Sequence, residues 1–75
     1  MSRLLPLRGD RLEFIRTYQI HQYGLGGRVE GVGTYQSRPY GTTVTTVDIT
    51  TDTGVRLSWP LQWVRRDTIA ADPVR

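Results

Sequence analysis

The side chains best suited to chemistry in this 75-residue chain are arginines set among aromatic rings. The stretch DTGVRLSWPLQWVRR, residues 52 to 66, gathers both tryptophans and three of the ten arginines around Pro60. Cations that follow phosphates and flat rings that stack on bases are what a single-stranded nucleic-acid groove uses. Arg38, Tyr40, Arg56, Trp63, Arg65 and Arg66 are therefore the candidate binding residues, with Tyr18, Tyr23 and Tyr35 as further rings. The plainer alternative is that Tyr18 and Tyr35 pack in the core or at its rim, leaving Tyr23 and Tyr40 exposed.

Catalysis by side chains has less support. An acid–base site needs a partnered group of tuned pKa, whereas His21, the single histidine, has no cysteine or serine near it in sequence. Asp48 and Asp52 fall on a strand and in its turn, where solubility and turn formation account for them. Cysteine is absent, which removes disulfides and thiolate zinc sites. No catalytic residue, metal or cofactor is expected. The glycines of GLGGRVEGVG would need a helix N-terminus after them to cradle phosphate, and the residues that follow alternate as a strand instead.

A net charge of +3 and an isoelectric point near 10.0 suit a polyanionic partner. All ten basic residues are arginine and the chain has no lysine or asparagine, a bias that G- and C-rich coding DNA also produces. The opening MSRLLPLRGDR is broken by Pro6 and Arg8, and no stretch is long and apolar enough to span a bilayer. A soluble, cytoplasmic protein without membrane contact is expected.

These side chains have to be positioned by strands. In DRLEFIRTYQI, Asp10 and Glu13 match a helix capping box and Gly24 could stop a helix, yet period two fits better than the helical period. Arg16 on the apolar side places the strand's end or a bulge near Ile15, with a long loop after it. Gly31 and Gly33 are expected to let a curved second strand bend and another backbone approach closely. Arg11 and Glu13 should meet Arg28 and Glu30 as cross-strand charge pairs. Thr42 to Thr51 is a third strand, with Val47 and Ile49 inward. Val44 has the opposite parity, which implies a bulge near Thr45 or an exposed valine used in a contact. Asp52 to Gly54 is a hairpin turn, after which Val55, Leu57 and Trp59 point one way and Arg56 and Ser58 the other. Trp59 belongs to the core, and Trp63 to the surface beside Arg65 and Arg66. Pro60 ends the fourth strand; PLQ fits one 3₁₀ turn, and WVRR begins the last strand. The expected architecture is all-β: a five-stranded SH3-like barrel over residues 1–66, ordered from about residue 9, with a frayed tail over 67–75.

This order, together with GDRLEFI and GGRVEGV, resembles the KOW-type modules among the SH3-like barrels, where a Gly-Asp turn leads the first strand and a Gly-x-Val turn the second. GLGGRVEGVGTYQSRP is similar to the middle of the variable subunit of ferredoxin-thioredoxin reductase, a non-catalytic barrel that supports a redox partner. That family's two-histidine stretch is not reproduced, since His21 stands alone. GVRLSWP resembles the pore-building Val-Gln-Ile-Tyr-Pro run of the type II dihydrofolate reductases, with Arg56 for the glutamine, Ser58 for the tyrosine and Trp59 as an extra residue before the proline. Three readings follow. The first is a non-catalytic module binding nucleic acid. The second is an accessory or protein-interaction subunit that forms a homo-oligomer through Val44, Tyr40 and Trp63, and the third is a reductase with a pore shared between subunits.

Overall fold

A computed structural model describes residues 5–37 and 41–71. Five strands and two seven-residue helices follow one another as β1 (Arg11–Phe14), α1 (Thr17–Tyr23), β2 (Gly26–Ser37), β3 (Thr42–Thr51), β4 (Arg56–Pro60), α2 (Leu61–Asp67) and β5 (Thr68–Ala70). The strands form one antiparallel sheet in the order β4-β3-β2-β1-β5. The protein is mostly β, but the expected closed barrel is not formed: among the described residues β4 and β5 each pair on one side only, and the sheet stays open.

Alternation decides which face is inward. Leu12, Phe14, Val29, Val47 and Ile49 are buried, and the pairs Val29 with Ile49 and Val47 with Trp59 set their side chains on one side of the sheet. Three strand spacings of about 4.8 Å each would hold β4 roughly 14 Å from β1 on a flat sheet. The rings of Phe14 on β1 and Trp59 on β4 are nevertheless 5.5 Å apart, so the sheet curls over its own apolar face. Tyr23, at the end of α1, completes a triangle with these rings at 5.8 and 6.3 Å. Trp59, half-buried beside the core, takes the inward position its parity predicts.

The irregularity in the central ladder lies in β2, at Glu30 between Val29 and Gly31, and not near Thr45. Val44 is in regular register, half-buried opposite Tyr35 on the outward face. Close backbone approach falls earlier than expected as well. A Cβ on Gly26 would sit 2.0 Å from the Leu12 carbonyl oxygen, and one on Gly27 would sit 2.6 Å from that of Thr50, whereas around Gly31 there is open space. The same register sets Arg11 opposite Arg28, so the anticipated cross-strand Arg–Glu pairs do not form. Arg11 turns instead to Asp52, donating from both terminal nitrogens, while Arg28 lies 3.7 Å from Glu30 on its own strand. Asp52 also accepts from the Gly26 N–H at 3.2 Å, which ties the 52–55 hairpin turn to the start of β2. Arg11 holds the Asp52 carboxyl below the usual carboxylate range.

Both helices replace segments read as irregular or extended. The first loop contains α1, and its seven residues are too few to be stable alone. Its inward positions are Gln19 and Tyr23, one helical turn apart, and the Gly24 N–H closes it on the Ile20 carbonyl at 2.9 Å. The anticipated 3₁₀ turn is a full helix, α2, which absorbs WVRR. Pro60 precedes it with φ −57°, a dihedral that suits a helix start. Leu61, Val64 and Asp67 face inward at three-residue spacing. The last strand lies within the expected tail: Thr68 to Ala70 pair with Phe14 to Leu12, and the Thr68 hydroxyl donates to the Val64 carbonyl at 2.6 Å.

Candidate functional site

Because α2 turns Leu61, Val64 and Asp67 toward the core, Gln62, Trp63, Arg65 and Arg66 must face outward. Trp63 is 47% exposed, and the Arg66 guanidinium lies 5.6 Å from its ring centre, within the range of a cation–π contact. The two residues are three positions apart, so the helix places them on one face.

Beneath them is Asp67, only 1% exposed. Its Oδ1 accepts from Arg16 Nε at 3.1 Å and Arg66 Nε at 2.9 Å; its Oδ2 accepts from Gln19 Nε2 and Arg66 Nη2, both at 3.0 Å. Arg66, followed by Arg16 and Gln19, holds this carboxyl well below the usual carboxylate range, against burial, which pushes it up. The Asp67 carbonyl also accepts from the Ile15 N–H at 3.0 Å, so one residue joins the end of β1, α1 and α2. Gln19 is 96% buried and its Oε1 has no hydrogen-bond partner among the described residues. The amide cannot turn over to relieve this, because its oxygen would then face the carboxylate.

The Asp67 hydrogen bonds raise Arg66 above its ordinary pKa. Tyr18 is 64% exposed. Tyr18 on α1 and Trp63 on α2 thus stand on the two helices that Asp67 joins, where Arg16 and Arg66 share its buried carboxylate.

Of the residues singled out in the sequence, Trp63 and Arg66 come together here, while Arg65, two positions from Trp63, is exposed on the other flank of the same helix. Arg38 and Tyr40 lie outside the described residues. Arg56 begins β4, whereas α2 follows that strand's other end. It lines a separate open cleft of about 570 Å³ with Arg8, Glu30, Asp48 and Ser58, where both signs of charge are mixed. The tyrosines exchange roles relative to the packing alternative: Tyr18 and Tyr35 are exposed, and Tyr23 is packed on Phe14 and Trp59. Arg16 and Asp67 were missed. The signal for Asp67 was its three-residue spacing from Val64, which continues the inward stripe of α2 with a polar residue.

Among the described residues, no group of three or more metal-ligating side chains converges, and no helix is long and apolar enough to cross a membrane. Comparison with known proteins finds no matching family, no matching curated protein and no matching solved structure.

Proposed function

We propose that this chain is a non-catalytic binding module, an open member of the SH3-like barrels, whose α1–α2 face takes single-stranded nucleic acid. The strand order, the tight turn between β3 and β4 and the helical turn before the last strand support the SH3-like relationship. Trp63 stacks on a base, Tyr18 offers a second ring, and Arg16, Arg65 and Arg66 meet phosphates. The observation that carries this reading is the half-exposed Trp63 ring flanked by a guanidinium that the buried Asp67 holds in place. A ring and a cation fixed in advance lose little side-chain freedom when a nucleotide arrives.

Fluorescence anisotropy of a labelled oligothymidylate, titrated at several salt concentrations, tests this. Trp63→Ala is expected to weaken binding about 5- to 150-fold, the loss of one stacked base at ~1–3 kcal/mol. Arg65→Ala should reduce the log–log salt slope by about 0.7 if that side chain contacts one phosphate. No binding at low salt, or an unaltered affinity in Trp63→Ala, refutes the reading.

A further inference from the structure

Among the described residues the second half of β2 has an edge that no strand covers. Among the described residues β1 pairs β2 at Gly26, Gly27 and Arg28, and two further backbone bonds link Val29 to Gly9 and Asp10. From Gly31 to Ser37 the strand pairs, among the described residues, on one side only, with β3. Exposed edges of this kind invite strand addition, and proteins that stay monomeric blunt them with charge, proline or a bulge. Here the bulge at Glu30 comes before the open run, and GVGTYQS itself has no charged residue and no proline. Opposite it on β3, Thr42 to Val47 are also uncharged, so the whole ribbon carries no electrostatic guard over this length.

We infer that the Gly31–Ser37 edge is a self-association surface whose occupant is the same edge of a second copy, paired antiparallel about a two-fold axis through Thr34. Identical strands related by such an axis are self-complementary. The register centred on Thr34 sets Thr34 against Thr34, Gly33 against Tyr35 and Val32 against Gln36. Directly opposed residues share a face of the sheet, so each Tyr35 ring, half-exposed in the single chain, lies over the bare backbone of Gly33 in the other copy. That contact forms twice by symmetry. Within its own chain Tyr35 is flanked by Val44, so the two-fold yields a continuous Val44–Tyr35 band on one face. A seven-residue strand pairs over about 24 Å, a small contact by the standard of obligate dimers, so the association is reversible and set by concentration.

The chain has no cysteine, which makes a single introduced thiol a reporter of register. Across the proposed axis the two Thr34 Cα atoms are about 4.5–5.5 Å apart, within disulfide reach. Two Thr43 residues, each one strand further out and opposite Gln36 rather than Thr34, would be separated by about 20 Å. Sedimentation equilibrium of the full chain from about 5 to 500 µM should show a monomer–dimer equilibrium governed by mass action. Under mild oxidation Thr34→Cys should form a covalent dimer and Thr43→Cys should not. Thr34→Lys opposes two like charges at the axis and should shift the species to monomer with an unchanged circular dichroism spectrum. A strictly monomeric chain throughout that range overturns the inference. So does cross-linking of Thr43→Cys in preference to Thr34→Cys, or a dimer that persists in Thr34→Lys. Each readout is taken without nucleic acid, so the outcome is independent of the binding test above.

Discussion

Removal of the Asp67 carboxylate is the most direct perturbation of the α1–α2 junction. Asp67→Ala leaves the buried Gln19 Nε2 without its acceptor, a loss of about 1–3 kcal/mol for an unsatisfied polar group. Arg16 and Arg66 are roughly half-exposed and re-enter water, so their loss adds little. The expected destabilisation is about 2–3 kcal/mol, against a total on the order of 4–11 kcal/mol for a chain of this length. Asp67→Asn is the informative control. Its amide nitrogen can donate to Gln19 Oε1 once that side chain rotates, while its oxygen still accepts from the arginines, so it should cost only about 1 kcal/mol. Acidity supplies an independent check. Because the folded-state carboxyl is depressed below the ordinary value of about 3.9, the unfolded chain takes up this proton first as pH falls. The stabilisation is complete above that ordinary value and drains away below it. Urea unfolding followed by circular dichroism at pH 7, 5, 4 and 3 should show the gap between wild type and Asp67→Ala constant down to about pH 5 and narrowing below 4. Equal stabilities at pH 7, or a gap that widens toward acid, would refute the assignment of Asp67 as the junction's anchor.

Two further substitutions probe the sheet. Gly27→Ala drives a methyl against the Thr50 carbonyl and Ile49 Cγ2 at 2.6 and 2.7 Å and should lower the melting temperature sharply, whereas Gly31→Ala meets open space and should be neutral or stabilising by up to ~1 kcal/mol. Thermal melts of the pair decide this, and equal losses at both positions would count against the close approach at β2's start. Phe14→Ala removes the ring that Tyr23 and Trp59 share and should cost about 3–4 kcal/mol in chemical denaturation, with a changed near-ultraviolet spectrum from Trp59. A loss below 1 kcal/mol would mean that the curl of the sheet does not depend on that contact.

Strand periodicity was legible without coordinates. Leu12 and Phe14, Val47 and Ile49, and Leu57 and Trp59 each repeat at every second residue, which is enough to place the first four in the core and Leu57 and Trp59 half-buried against it. The turn at Asp52 to Gly54 and the exposure of Trp63 followed from local chemistry in the same way. Sequence alone set those features because each depends on the geometry of a few consecutive residues. The two helices, the last strand and the arginine–aromatic face depended on residues 48 to 51 positions apart, where Asp67 collects Gln19 and Arg16. A buried carboxylate and a buried amide do not register as apolar periodicity, so α1 lacked its inward stripe and α2 showed only part of one. Only the folded chain brings their donors and acceptor together, because each would be costly to bury without the other.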